Sequence, residues 1–488
     1  MNKKSIKKNY IYNLIYQIVV IIVPLITTPY LSRVLGAENI GIYSYTISIT
    51  TYFILVGTLG LSLYGQREIA YVQNDKEKRS KVFHELFLLK CYSVSIALIV
   101  FFLVFCIKGE YTFYYRILIL ELISVLLDVS WFFQGLEEFK KTVIRNVIVK
   151  AVSVIMIFLL VKNPDHLYIY FMIYVLSTFL GNLSLWLYLP KYIKRVPFHE
   201  LEIKKYIKPA IVLFIPQIAT QIYVVLDKTM IGMLVLNKSE VGFYEQAQKI
   251  VKLCIVLSTA LGTVMLPRMA ATYATGNHEQ LLRYLKKSLC VTMMLAFPLM
   301  FGVISIADKF VPLFFGDGYD KVTPIICLMS PIVFFIGLSN VTGTQFLLPT
   351  KQQRKYTLSV ITGAVTNIVL NLLLIPEHGA IGACVATIAA EFSVTFIQFI
   401  MTRKYLNIKT ILEISYKYLI AALVMFGVSM LINNVIDNTL ICIATQIVVS
   451  SIVYLLMLII LQDDTFKYVI AVMCETIGKI FKKKRKLV

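Results

Sequence analysis

The chain alternates long apolar runs with short polar segments, and the runs are long enough to cross a membrane. Runs such as LIYQIVVIIVPLITTPYL and YLIAALVMFGVSMLI approach the roughly 20 apolar residues that span about 30 Å of hydrocarbon. Fourteen such segments are predicted, with approximate limits 10–32, 40–63, 86–107, 113–134, 143–161, 167–189, 208–235, 241–266, 288–306, 322–347, 356–375, 380–401, 416–433 and 439–461. The pattern predicts an all-α polytopic membrane protein. The first run follows a basic start but lacks a small-residue cleavage site, so it is interpreted as a transmembrane helix.

Basic residues fix the predicted orientation of these segments. With the N-terminus inside, 36 of the 48 Lys and Arg residues fall on the inner side, 7 on the outer side and 5 within spans. Cytoplasmic loops carry such an excess of Lys and Arg. The sequence therefore predicts a multi-pass protein of the cytoplasmic membrane with both termini in the cytoplasm.

Composition agrees with this interpretation. Hydrophobic residues make up 58% of the 488 residues and charged residues only 15%, against about a quarter charged in soluble proteins. The net charge of +21 follows the loop asymmetry, so no nucleic-acid partner is expected. The segment 463–488 combines apolar residues at helical spacing with KKKRK, which predicts a cytoplasmic amphipathic basic tail on the inner leaflet; a disordered basic end is the alternative.

Two stretches of the chain resemble each other. LGAENIGIYSYTISI from Leu35 aligns without a gap over LNKSEVGFYEQAQKI from Leu236, an offset of 201 residues. Six predicted helices lie in each unit, so both copies enter the membrane with the same polarity, as in parallel-repeat transporters. The predicted organisation is two six-helix lobes plus two extra C-terminal helices: an N-lobe at 1–200, a C-lobe at 201–405, and helices 13 and 14 at 406–462.

Ionisable and strongly polar residues interrupt several predicted spans. Such groups are costly at membrane depth and usually face a cavity or a partner. Because Lys and Arg form charge-assisted hydrogen bonds with phosphates where water is scarce, they suit an anionic substrate. The substrate-binding candidates are Arg33, Lys150, Gln217, Gln221, Lys228, Lys249 and Lys252. The candidates for gating or ion coupling are Glu121, Asp128, Asp227 and Glu391.

The alternative for each charge is a structural one, either an internal ion pair or a side chain that reaches the membrane edge. For Lys90 this alternative is favoured. For Asp227, a pair with Lys228 or with a neighbouring helix competes equally with a transport role. The cavity interpretation is preferred for Lys249 and Lys252.

Motifs of enzymes do not occur in the sequence. There is no GxxxxGK[ST] phosphate loop and no HExxH, and the five histidines and eight cysteines are scattered without ligand spacing. The sequence therefore predicts a transporter rather than an enzyme, with no metal or cofactor. Coupling to a proton or sodium gradient is left open.

Four stretches resemble the Wzx-type oligosaccharide flippases of the multidrug/oligosaccharidyl-lipid/polysaccharide exporter superfamily. They are PYLSRVLGAENIGIYSYTISI with LGLSLYGQREIA, then LLDVSWFFQGLEEFKKTVIRNVIVK, then LDKTMIGMLVLNKSEVGFYEQAQKI, and finally the run from SNVTGTQFLLPTKQQRKY to GACVATIAAE. The resemblance covers about residues 1–405. Lipid II flippases carry an Arg-Asp pair on helix 1, whereas Leu25 to Thr28 is apolar and Thr-rich here, which argues against lipid II as substrate.

The resemblance implies alternating access between inward- and outward-open states of a two-lobed fold. The cargo would be an undecaprenyl-diphosphate-linked oligosaccharide repeat unit, turned to the outer face for synthesis of an envelope polysaccharide such as capsule or O-antigen. Membrane lipids, a polymerase and glycosyltransferases of the same pathway are the expected partners. A cation-coupled drug exporter of the same superfamily, a membrane glycosyltransferase or polymerase, and a scaffold of the assembly complex are the alternatives.

Overall fold

The structure, a computed structural model, describes residues 6–467, without the side chains of residues 6–17, 212, 213, 215–224 and 408. Every regular element in this range is helical. The helices are α1 Ile6–Thr58, α2 Leu61–Tyr71, α3 Lys76–Phe101, α4 Thr112–Leu127, α5 Ser130–Gly135, α6 Phe139–Leu160, α7 Leu167–Trp186, α8 Ile207–Leu234, α9 Ser239–Ala274, α10 His278–Phe315, α11 Val322–Met329, α12 Ile332–Ser339, α13 Gln353–Thr402, α14 Ile408–Val435 and α15 Thr439–Ile460. Among the described residues, eleven helical stretches are long and apolar enough to cross a membrane. The chain is therefore a multi-pass helical membrane protein, as predicted.

Two glycines bend the longest helices. Gly36 in α1 has φ 76° and ψ 170°, and Gly379 in α13 has φ 55° and ψ −128°. Glycine reaches these positive φ values without a steric penalty, so each long helix consists of two helical segments joined at the glycine. The bends lie where the sequence predicts the breaks between spans 10–32 and 40–63 and between 356–375 and 380–401.

Other helices differ from the predicted segments in length. The segment predicted at 288–306 is α10, which runs from His278 to Phe315. The interval between the segments predicted at 288–306 and 322–347 therefore shrinks to the residues between Phe315 and Val322. The segment predicted at 322–347 consists of α11, α12 and a π-helical stretch at Asn340–Leu347, because Pro331 lacks the N–H that a continuous helix needs.

The described chain contains two compact units. One comprises the residues up to Glu245 together with Phe315–Gly318, and the other comprises Gln246–Phe314 and the residues from Tyr319. The repeat-based lobes, which divide the chain at residue 200, stay a prediction. Of the predicted tail, only the stretch 463–467 is described, where Asp463 caps the turn through a 2.7 Å bond from the Phe466 N–H; the rest lies outside the described residues.

A buried carboxylate joins the segment before α8 to α3 within the first unit. Glu85 on α3 is fully buried and accepts hydrogen bonds from the Tyr206 hydroxyl at 2.8 Å, the Glu202 N–H at 2.9 Å and the Lys205 ammonium at 3.1 Å. Lys205 also bonds Glu202, and its hydrogen bond and charge lower the pKa of that exposed carboxyl. These contacts fix the start of α8, which carries Asp227 and Lys228 near its other end.

Candidate functional site: a polar network on α1, α8 and α9

An ion pair lies at the centre of the polar network. The Lys228 ammonium on α8 is 2.9 Å from Glu245 Oε2 on α9, and both side chains are largely buried, with 15% and 17% exposed. The Ser44 hydroxyl on α1 donates to the same carboxylate oxygen at 3.0 Å. Lys228 is six residues from the end of α8, which is about 9 Å along the helix axis. The pair is therefore held between three helices, well inside the apolar part of the chain.

The neighbouring residues of α8 extend the network in two directions. The Tyr244 hydroxyl on α9 donates to the carboxylate of Asp227, which is 2% exposed. The Thr229 hydroxyl bonds Ser48 at 2.8 Å and Tyr52 at 3.1 Å on α1. Asp227 thus contacts a neighbouring helix, while Lys228 takes Glu245 as its ion partner, so a direct Asp227–Lys228 pair is not the arrangement found.

The network lies where α1 and α9 approach almost backbone to backbone. A Cβ atom on Gly41 would be 1.8 Å from the Lys238 carbonyl oxygen, and one on Gly242 would be 2.1 Å from the Ala37 carbonyl oxygen. The repeat aligns Gly41 with Gly242 and Ala37 with Lys238, so the two contacts are reciprocal. It also aligns Ser44 with Glu245, which bond each other. Reciprocal contacts of this kind are those of a local two-fold axis between the two aligned segments.

A second polar cluster lies on α4, α7 and α1. The Tyr174 hydroxyl donates to Glu121 Oε1 at 2.6 Å, and the Tyr43 ring is 4.5 Å from that of Tyr170 and 5.9 Å from that of Tyr174. Glu121 is buried, and its Oε2 has no hydrogen-bond partner among the described residues. Buried carboxylates normally have hydrogen-bond partners for both oxygens. Glu121 is unusual because only Oε1 has one among the described residues.

The other residues of the first unit that the sequence predicts for substrate binding or ion coupling differ in burial and in their contacts. Arg33 is exposed and lies against Gly316, where an added Cβ would be 2.8 Å from its Cγ. Lys150 is half-buried on α6 and makes no hydrogen bond or ion pair within the described residues. Asp128 ends α4, and its side chain accepts from the Ser130 N–H at 2.9 Å. The Asp128 carbonyl accepts from the buried Lys90 at 2.8 Å, so Lys90 has an internal structural contact.

In the second unit, Lys249 is half-buried on α9 and donates to Gln246 at 3.3 Å, whereas Lys252, one turn further, is exposed. Glu391 on α13 is 7% exposed. The side chains of Gln217 and Gln221 lie outside the described residues. Sequence reasoning missed Glu245, Tyr244 and Ser44, although all three fall inside the repeated motif and two of them occupy equivalent positions in it.

The network brings charges of both signs together on neighbouring helices, since Lys228 contacts Glu245 and the adjacent Asp227 accepts from Tyr244. Lys228 already has an acidic partner, so an anion could reach it only by displacing Glu245. Among residues 6–467, no group of three or more His, Cys, Asp or Glu side chains could hold a metal ion.

Comparisons with known proteins identify a family and several relatives of the chain. The model of the family described as "Polysaccharide biosynthesis protein" matches residues 6–273, and that of the family described as MatE matches residues 213–373. A protein of Escherichia coli (strain K12) that is named for O-antigen transport is 24% identical over 407 residues, which cover 82% of this chain and 98% of the relative. A protein of Haloferax volcanii, named as a flippase of low-salt glycan biosynthesis, is 23% identical over 207 residues, 42% of this chain and 43% of the relative.

Solved structures show the same fold. The lipid II flippase MurJ, in an inward closed conformation, superposes with a TM-score of 0.74 at 18% identity and covers 92% of this chain and 99% of its own. An inward-facing multidrug resistance transporter of the MATE family superposes with a TM-score of 0.62 at 14% identity, covering 78% of this chain and 94% of its own.

Proposed function

Because the chain belongs to the polysaccharide biosynthesis protein family, whose model matches more than half of its residues, we propose that it is a flippase for a lipid-linked oligosaccharide. The names of its relatives confirm a transporter rather than an enzyme. The observation that carries the proposal is the charged network of Lys228, Glu245 and Asp227, buried among apolar helices. A purely structural membrane scaffold has no need for three ionisable groups at that depth.

For the cargo and the transport mechanism we keep the prediction made from the sequence. The cargo is an undecaprenyl-diphosphate-linked repeat unit, made on the cytoplasmic face and turned outward by alternating access. The protein then has fourteen transmembrane helices, both termini in the cytoplasm of the cell and two six-helix lobes. The bends at Gly36 and Gly379 support this count, since each divides one long helix into two segments.

The roles of the charged residues are assigned by their surroundings. Arg33, Lys249 and Lys252 attract the diphosphate, because Lys and Arg form charge-assisted hydrogen bonds with phosphate oxygens. Lys249 is half-buried, and Arg33 and Lys252 are exposed. The Asp227 and Glu245 carboxylates couple transport to a cation gradient, because carboxylates within membrane-spanning helices commonly form ion pathways and proton relays. Lys228 then acts as the internal counter-ion that competes with the coupling ion.

The test of the cationic role uses a flippase-null strain that makes the cognate polymer. We expect Lys249→Ala plus Lys252→Ala to reduce polymer export strongly at normal protein level. The control removes two charges from exposed positions near the start of α8, Lys204→Ala plus Lys208→Ala, and should leave export unchanged. Normal export in the first variant refutes the role of these lysines.

A second candidate function is a cation-coupled drug exporter, favoured by the MatE match at residues 213–373 and by the MATE-type fold. A drug exporter would confer resistance when expressed and would not restore polymer export. Reconstitution of the pure protein with labelled lipid-linked substrate separates both transporters from a glycosyltransferase, since a flippase moves the label without forming a new covalent product.

A further inference from the structure

A cavity of about 620 Å³ follows the seam between α6 and α7 in the first unit. At one end it is lined by Lys140, Lys141 and Arg145. The rest of its lining is mainly apolar and includes Ile148, Val152 and Leu180, whose side chains are exposed at the protein surface. The cavity is thus amphiphilic, with a basic end and an apolar body, and none of the residues proposed for transport lines it.

The dimensions of the cavity fit one leaflet of a bilayer. Lys140 and Val152 are twelve residues apart on α6, which is about 18 Å at 1.5 Å per residue. Half of the hydrocarbon core of a bilayer is roughly 15 Å. If the basic end lies at the level of the phosphates, the apolar end therefore reaches the middle of the membrane.

The basic groups are held in place by neighbouring side chains. The Arg145 guanidinium donates to Asn182 Oδ1 at 2.5 Å, and Asn182 in turn donates to the Ser124 carbonyl at 2.9 Å. The Lys141 ammonium lies 4.1 Å from the centre of the Tyr192 ring. The contact with Asn182 orients the guanidinium where it lines the cavity, and guanidinium groups bind phosphates strongly. Lys141 donates to the Tyr192 hydroxyl, which donates to Glu138 Oε1 at 3.2 Å, so Lys141 belongs to a side-chain network and the phosphate is assigned to Lys140 and Arg145.

The floor of the cavity is a close helix contact. A Cβ atom on Gly181 would be 2.8 Å from Val149 Cγ2 and 3.4 Å from Arg145 Cδ. Glycine therefore lets α7 approach α6 closely beneath the basic end, while the larger side chains on either side form the walls. A chain-like ligand can lie along such a groove with its polar end beside Arg145.

We propose that this groove binds an anionic phospholipid of the cytoplasmic leaflet. Its phosphodiester contacts Lys140 and Arg145, and one acyl chain lies along Ile148, Val152 and Leu180. A soluble anion would leave the apolar body uncovered, and a zwitterionic lipid would bring a positive charge to the basic end. The lipid site is separate from the proposed transport function. It relies only on the proposed orientation, in which the start of α6 faces the cytoplasm, because basic pockets between helices on that side suit lipid phosphates.

The test measures lipid retained by the purified full-length protein. Native mass spectrometry after incubation with phosphatidylglycerol or phosphatidylcholine gives the relative affinities. We expect Lys140→Gln plus Arg145→Gln to weaken phosphatidylglycerol binding about 25-fold, since each basic group near an anionic lipid contributes roughly fivefold. Lys204→Gln plus Lys208→Gln, two exposed charges outside the cavity, should have little effect.

A second variant keeps the proposal falsifiable if Arg145→Gln disturbs its contact with Asn182. Leu180→Trp fills the apolar path from an exposed position and leaves all basic groups in place. We expect it to lower phosphatidylglycerol binding and to abolish cross-links from a photoactivatable acyl chain to α6 and α7. Unchanged binding and cross-links in both variants would overturn the proposal, and so would full competition by inorganic phosphate, which would reveal a simple anion site. None of these measurements depends on transport, so the flippase proposal stands or falls separately.

Discussion

The ion pair between Lys228 and Glu245 provides the sharpest test of the candidate site. The perturbation is a double-mutant cycle of Lys228→Met, Glu245→Gln and the double variant. Glu245→Gln keeps an acceptor for the Ser44 hydroxyl, which is 3.0 Å away. The cycle therefore removes the charges while leaving the shape and the hydrogen bond of the pocket largely intact.

The expected magnitude follows from distance and burial. At the observed 2.9 Å, two unit charges attract by about 6 kcal/mol at an effective dielectric constant of about 20. Desolvation offsets much of this attraction, but Glu245→Gln leaves the buried Lys228 ammonium without its acidic partner and costs about 3 kcal/mol. At roughly 2 °C per kcal/mol for a unit of this size, this single variant should melt about 6 °C lower. The double variant should melt close to the unmodified protein.

The assay combines thermal unfolding in nanodiscs with polymer export in a flippase-null strain. The matched control is Lys194→Met, because Lys194 and Glu77 are also 2.9 Å apart but exposed by 55% and 79%; we expect less than about 1 kcal/mol there. If the pair couples transport, the double variant recovers stability but not export. A Glu245→Gln variant as stable as the control would refute the buried-pair reasoning, and full export in the double variant would refute the coupling role.

Three further predictions use other contacts. Gly242→Ala places a methyl group 2.1 Å from the Ala37 carbonyl oxygen and should lower the melting temperature measurably, whereas Gly427→Ala, with nothing within 4 Å, should not. Glu85→Ala removes three hydrogen bonds to the segment before α8 and should cost about 3–5 kcal/mol in thermal unfolding, while the exposed Glu77→Ala should cost almost nothing. Glu121→Gln keeps the size of the side chain and the oxygen that accepts from Tyr174, but it removes the ionisable group. The free energy of unfolding should therefore change by less than about 1 kcal/mol, while polymer export falls. Unchanged export would exclude Glu121 from ion coupling.

The sequence predicted the helical class and most helix positions because hydrophobic length is a local property. Each apolar run can be compared with the thickness of a membrane without knowing its neighbours. The bend at Gly36 was also predictable as a break, since polar residues such as Glu38 and Asn39 follow it. The extension of α10 to Phe315 was not predictable in this way, because amphipathic ends continue a helix beyond its apolar centre.

The partners of the charged residues could not be predicted from local patterns. Helical spacing shows that Asp227 and Lys228 lie on α8, but which helix faces them depends on how the helices cross. Glu245 and Lys228 lie on different helices and are well separated in the sequence. Glu245 becomes the ion partner of Lys228 because α8 and α9 pack together. Only the repeat contained a signal, because it placed Ser44 and Glu245 at equivalent positions.

That equivalence explains why the network is asymmetric. The offset of 201 residues also aligns Leu25 with Leu226 and Thr28 with Thr229, so Asp227 and Lys228 stand where the first copy has Ile26 and Thr27. All the charges of the network therefore come from the second copy, while the first contributes the hydroxyls of Ser44, Ser48 and Tyr52. The reciprocal contacts of Gly41 and Gly242 are to backbone carbonyl oxygens and involve none of these charges, and uncharged residues stand at the equivalent positions of the first copy. The coupling role that we propose would therefore belong to the second copy alone, and the first copy supplies only neutral hydrogen-bond partners.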